Sequence, residues 1–217
     1  MQFTTEHGPV EIEVDHLFIA GWTGRNKDAV QHHIDELAAI GVSPPSKVPL
    51  YYRVSNTLLT AQTKINVLGE KTSGEAEPML VQSHGKIWLG LGSDHTDRQL
   101  EVTSVAASKQ ACQKPCATIL WDFGALSQHL DKIEIRSWIW ENSDWQLYQD
   151  GRLAQLIPLE TLREDADMPD NSAMLCGTFS AINSVRSAKR FRAVMHDPIL
   201  DRSIQFEYES NCLPIVN

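Results

Sequence analysis

The chain has 217 residues, 42% hydrophobic and 22% charged, an ordinary globular composition with enough apolar residues for one sizeable core. Its formal net charge of -9 argues against a nucleic-acid partner, because phosphate backbones are bound by clustered Lys and Arg, and the longest basic cluster, Arg186 to Arg192, is short and interrupted by apolar residues. No apolar run approaches the roughly 18 to 20 residues of a membrane span, and the opening MQFTTEHGPVEIEV has neither the basic nor the apolar region of a secretory leader, so a cytoplasmic protein is expected.

Residues 2–5 and 9–19 alternate apolar and polar around His7-Gly8-Pro9, which predicts a hairpin or two short strands, the second running through Leu17 to Ala20 and stopping at Gly21. Asp28 is placed to cap a helix over residues 29–40, where Val30, Ile34, Leu37 and Ala38 recur at helical spacing, and Gly41 stops it. Pro44, Pro45 and Pro49 make residues 42–49 an extended connection. Short strands are then predicted over 50–54, 63–68, 76–82 and 86–91, separated by Gly, Ser or Asn as in a rolled or barrel-like sheet. A short helix is expected within 98–108. Residues 133–139, 145–148 and 203–208 alternate again, with Gln149-Asp150-Gly151-Arg152 as a turn; 159–163 reads as helix and 168–172 as a polar loop. No internal repeat, low-complexity segment or linker divides the chain, so residues 1–217 are expected to form a single domain. The four cysteines, Cys112, Cys116, Cys176 and Cys212, make no disulfide framework in a reducing compartment. Cys112 and Cys116 lack a second pair at zinc-ligand spacing and read as buried small side chains.

Glu75 and Glu77 stand at i and i+2 at the start of a predicted strand and so project from one face. Two like charges so placed repel unless a cation lies between them, and a hard divalent ion selects carboxylate oxygens; a solvated strand face is the commoner use of the pattern. The polar cluster Gly92 to Arg98 after an apolar strand is a turn in its plain reading, but it also carries Asp94 as a third carboxylate. His33 and Glu36 lie at i and i+3 on one helical face, where a carboxylate can fix the imidazole tautomer and raise its basicity as a general base, although such pairs also decorate helix surfaces; His32 beside them reads as a solvated neighbour. Lys109 is a lone cation among small and apolar residues, either a snorkelling surface lysine or a site group, and Cys176-Gly177-Thr178-Phe179-Ser180 offers N–H and hydroxyl donors or is simply a turn.

Taken in order, Gly24-Arg25-Asn26, His33-x-x-Glu36, Glu75-x-Glu77, Asp94-x-Thr96-x-Arg98, Ser108-Lys109 and Gly177-Thr178 resemble the fumarylacetoacetate hydrolase superfamily over about residues 16–209. The stretch Pro49-Leu50-Tyr51-Tyr52-Arg53-Val54-Ser55 is similar to the family segment that precedes the metal strand. The resemblance is to a small bacterial branch of unassigned activity. It implies an α+β, mostly β fold, a mixed β-sandwich roll or barrel like the C-terminal domain of fumarylacetoacetate hydrolase, with a lid helix near the N-terminus. It also implies Mg²⁺ or Mn²⁺ held by Glu75, Glu77 and Asp94, with Lys109 on the substrate or developing oxyanion, Thr178 and Gly177 gripping the substrate carboxylate, Arg25 and Arg98 in substrate binding, and His33 with Glu36 closing over the site as the base.

The expected enzyme is a metal-dependent hydrolase cleaving a C–C bond in a small 2-oxo acid or β-dicarbonyl compound through a metal-stabilised enolate, working as a homodimer. A decarboxylase, hydratase or tautomerase of an oxaloacetate-like acid shares that chemistry, and a metal-containing binding protein without turnover is the reading outside enzymes. The intervals Glu77 to Asp94 and Asp94 to Lys109 are shorter than the family's, which trims the loops around the pocket, and Lys27 replaces the aromatic residue that often follows Asn26.

Overall fold

The computed structural model describes residues 1–39 and 44–216, apart from the side chains of His33, Glu36 and Leu37. Two mixed sheets dominate. The six-stranded sheet runs in the order Trp121–Asp122, Lys86–Ser93, Ala76–Ser83, Ser172–Leu175, His16–Gly21, Leu50–Val54. The five-stranded sheet runs Asp144–Arg152, Glu134–Glu141, Arg190–Asp197, Arg202–Leu213, Lys64–Leu68. Among the described residues neither sheet closes on itself, so the rolled-sheet expectation holds as two open sheets rather than a barrel.

Alternation explains how they pack. Phe18 and Ala20 point to one face of the six-stranded sheet and join Ile135, Ile139, Phe191, Met195 and Tyr208 of the five-stranded sheet in a shared core. Leu17 and Ile19 point the other way, into a second cluster with Phe3, Ile12, Val54 and Met79. Covered on both faces, the six-stranded sheet reads in the sequence as continuous apolar runs such as Leu17 to Ala20. The first predicted strand pair divides in three, with Gln2–Thr5 and Gly8–Glu11 as a separate hairpin and His16–Gly21 in the large sheet.

The expected helix is present over Lys27–Ala39, but its cap is Asn26, not Asp28: Asn26 Oδ1 accepts from the N–H groups of Asp28 and Ala29 at 3.0 and 3.1 Å. Asp28 falls in the first turn, where its charge still meets the positive end of the helix dipole. The expected stop at Gly41 lies outside the described residues. The predicted turn at 149–152 is also corrected. These residues belong to the strand Asp144–Arg152, and the chain reverses at Asn142 and Ser143, whose positive φ values of 51° and 63° suit a two-residue hairpin. The helix expected within 98–108 is split into Arg98–Glu101 and Val105–Gln110.

Candidate metal centre

The strands Ala76–Ser83 and Lys86–Ser93 form a hairpin in which Ala76 faces Ser93 and Glu77 faces Gly92. Glu75 precedes one strand and Asp94 follows the other, and the Asp94 N–H donates to Glu75 O at 3.0 Å. Three carboxylates separated by up to 19 positions are thereby gathered at one end of the hairpin. One oxygen each of Glu75, Glu77 and Asp94 lies within 4.8 Å of the others, with Glu77 and Asp94 buried.

Each carboxylate has its own counterweight. Glu75 Oε2 is 3.1 Å from Arg98 Nη2, and Arg98 is fixed in turn by Ser73 Oγ at 2.7 Å and by Glu101. Glu77 Oε2 accepts the Gly177 N–H at 2.8 Å. Asp94 Oδ2 is paired closely with Lys109 Nζ, while its Oδ1 stands 3.3 Å from Lys114 Nζ without a well-directed hydrogen bond. Burial and the negative charge of Asp94 push the Glu77 carboxyl well above its ordinary pKa, against the opposing pull of Lys109. Burial also works to raise Asp94, but Lys109 and Lys114 overcome it and hold that carboxyl at about 2. Desolvation works to lower the Lys109 pKa and the carboxylates around it outweigh that, so the ammonium stays charged.

The segment after Ser172–Leu175 closes the far side. Gly177 has φ +96°, and a Cβ there would lie 1.8 Å from Thr23 Oγ1, so only glycine lets its N–H reach Glu77 beside Thr23. Gly74 is constrained in the same way, with Tyr208 Oη 2.1 Å from where its Cβ would be. Tyr208 Oη contacts His95 Nδ1 at 2.8 Å and Ser93 Oγ at 3.0 Å, and His95 Nε2 meets Thr72 Oγ1 at 2.8 Å. Burial, together with Lys114 and Arg98, depresses the His95 pKa to about 3, so this bridge is neutral.

Glu75, Glu77, Asp94 and Lys109 therefore meet, and Gly177 joins them through its N–H. Arg98 arrives as the partner of Glu75. The Thr178 hydroxyl donates its proton to Ala76 O at 2.8 Å and accepts from Gln149 Nε2 at 2.6 Å. The Arg25 guanidinium is engaged by Asp131 at 2.7 and 2.9 Å and by Leu156 O at 2.8 Å. The side chains of His33 and Glu36 lie outside the described residues. Sequence reasoning missed Lys114, His95, Gln149 and Tyr208. Lys114 is fully buried and donates to the carbonyls of His95, Lys109 and Cys112 at 2.7, 2.5 and 2.9 Å, so it ties the Asp94 turn to the end of the helix that carries Lys109.

The donor set fits a hard divalent cation. It is all oxygen, it is crowded with like charge, and Asp94 Oδ1 is buried without a directed hydrogen bond.

This arrangement of sheets is the fumarylacetoacetate hydrolase fold. The structure is similar to that of fumarylacetoacetate hydrolase (EaFAH) from the psychrophile Exiguobacterium antarcticum, with a TM-score of 0.60 and 12% identity over 92% of this chain and 76% of that one. It is likewise similar to Cg1458, with TM-score 0.64 and 13% identity over 93% of this chain and 78% of that one. A 2-keto-3-deoxy-D-arabinonate dehydratase solved with magnesium and 2,5-dioxopentanoate gives TM-score 0.62 and 12% identity over 93% and 75%. No curated protein matches the sequence. Residues 20–208 match the family described as "Protein of unknown function (DUF2848)", and the chain belongs to that family.

Proposed function

We propose that this protein is a Mg²⁺- or Mn²⁺-dependent enzyme that hydrolyses a C–C bond in a small 2-oxo acid or β-dicarbonyl compound. The observation that carries the reading is the convergence of Glu75, Glu77 and Asp94 within 4.8 Å, with Lys109 on Asp94. The metal, when bound by these three carboxylates, would supply Lewis-acid polarisation of the substrate carbonyl. In the reaction, water adds to one carbonyl carbon, and the C–C bond breaks with its electron pair left on the other fragment as an enolate, which is then protonated at carbon. Lys109, held charged by the carboxylates, would face that developing negative charge. His33 and Glu36 would take the proton from water, on a helix that closes over the site. With the Thr178 hydroxyl proton committed to Ala76 O, a donor to the substrate carboxylate in this turn would have to be a backbone N–H. Arg25 and Arg98 would contribute to substrate binding by shaping the site around Asp131 and Glu75, the carboxylates they already hold.

A lyase reading rests on the likeness to the dehydratase, which was solved with magnesium and 2,5-dioxopentanoate. Product analysis separates it from hydrolysis. A cytoplasmic homodimer is the form proposed for the working enzyme. No described helix is long and apolar enough to cross a membrane.

The test is calorimetric. Mg²⁺ or Mn²⁺ should raise the melting temperature of the wild type as its concentration passes the dissociation constant, and Glu77→Gln should abolish that rise. An equal metal response in both proteins would remove the metal assignment.

A further inference from the structure

Gln149 touches both halves of the site, and the reason lies in a defect of its own strand. In a regular strand Tyr148 and Gln149 would face opposite sides. Here the register against Glu134–Glu141 slips: Ser137 faces Gln149 and Trp138 faces Leu147, which leaves Tyr148 as an extra residue. Such a bulge re-aims side chains. Both Tyr148 and Gln149 are fully buried as a result, Tyr148 edge-on against Phe191 and Gln149 reaching across to the other sheet.

There its amide is saturated. Oε1 accepts from Ala76 N at 2.8 Å and from Ser137 Oγ at 2.7 Å, while Nε2 donates to Thr178 Oγ1 at 2.6 Å and to Phe179 O at 2.9 Å. Two donors and two lone pairs are all a carboxamide has, and the Ala76 N–H and Phe179 C=O allow only one orientation. The relay continues, because the Thr178 hydroxyl, accepting from Gln149, turns its proton to Ala76 O. Ala76 is thus held at its N–H by Gln149 and at its C=O through Thr178, and Ala76 is the residue between Glu75 and Glu77.

We propose that Gln149 is a positioning residue that clamps Ala76 to the Gly177–Thr178 turn and so sets how Glu75 and Glu77 face Asp94. The proposal rests on the metal-centre reading for its consequence but not for the clamp itself.

Two readouts separate these. Mn²⁺ titration followed by electron paramagnetic resonance reports affinity, and amide hydrogen exchange by NMR reports the Ala76 N–H. In Gln149→Leu, which removes all four bonds, Mn²⁺ affinity should fall about tenfold or more, as is typical when a group supporting metal ligands is lost. Exchange at Ala76 should accelerate by at least about tenfold while Leu80 and Leu89, deep in the same hairpin, keep their protection. Gln149→Glu, which full burial would keep protonated, retains both acceptor contacts and one of the two donors, so Ala76 exchange in it should lie closer to wild type than in Gln149→Leu. Unchanged Ala76 exchange and Mn²⁺ affinity in Gln149→Leu would overturn the clamp, as would acceleration spread evenly over Leu80 and Leu89. If the wild type takes up no Mn²⁺, the metal reading fails and the exchange pattern alone decides the clamp. If Gln149→Leu does not fold, Thr178→Val, which removes the Thr178 bonds to Gln149 Nε2 and Ala76 O and leaves the Ala76 N–H bond to Gln149 in place, carries both readouts with the same expected directions and a smaller change in exchange.

Discussion

Lys114 shows how much of this site depends on a residue with no motif around it. Its ammonium fills a cage of three backbone carbonyls and faces Asp94 Oδ1, and burial lowers its pKa against the pull of Asp94. Lys114→Met should cost about 3 to 5 kcal/mol in urea unfolding, because three carbonyls and a buried carboxylate oxygen lose their cation together; an unchanged midpoint would contradict this role. At Asp197 the argument concerns pH. Burial works to raise this carboxyl, but the hydrogen bond from His129 and the N–H groups of Ile199 and Leu200 hold it below its ordinary value. A depressed folded pKa contributes stability that is complete above the unfolded value of about 3.9 and is lost as pH falls through the folded one. The melting-temperature gap between wild type and Asp197→Asn should hold from neutral pH to about 5 and close below about 4; a gap constant into acid would count against it. The carboxylates were legible in the sequence because Glu-x-Glu puts two of them on one strand face whatever the fold. Lys114, Gln149 and Tyr208 were not, because their partners are set by folding: Tyr208 meets His95 across 113 positions, and Gln149 meets Ala76 across 73.

Among the described side chains of the helix Lys27–Ala39, Ile34 is buried, while Ala29, Gln31, Asp35, Ala38 and Ala39 are exposed. Such an element opens locally before the sheets do. Asn26→Ala should remove about 1 kcal/mol of capping, seen as roughly fivefold faster amide exchange across the helix with the global melt little changed; equal exchange rates would mean that tertiary contacts, not the cap, hold its first turn. Lys64–Leu68, with its clean period of two, was read correctly, and so was Leu50–Val54, which shows no such alternation but is rich in β-prone aromatic residues after a proline. Ser172–Leu175 was missed because it is four residues long and buried on both faces, so nothing in it alternates. Arg190–Asp197 alternates well, but its outward arginines looked like a basic cluster. They lie instead over indole rings, Arg190 on Trp140 and Trp145, Arg192 on Trp138 and Trp145, at 4.7 to 4.9 Å. The bulge at Tyr148 left no trace in composition, and its Asp-Gly neighbours imitated a turn.

For the whole molecule, light scattering at micromolar concentration should give twice the 24.3 kDa chain mass if the protein is the expected homodimer, and a single chain mass would remove that expectation. Trp138 and Trp140, which could equally have been core residues by their spacing, are half-buried beneath the arginine ladder. The strand Ser172–Leu175 lies between Ala76–Ser83 and His16–Gly21, parallel to the latter. Until it arrives, the N-terminal strand and the hairpin of carboxylates have no edge in common. A chain still emerging from the ribosome at residue 160 already carries Glu75, Glu77 and Asp94, but neither the Gly177 N–H that anchors Glu77 nor the Tyr208 hydroxyl that seals His95. Synthesis thus delivers the charges long before the parts that restrain them, and the centre takes shape only when the last quarter of the chain threads into the middle of a sheet begun by the first.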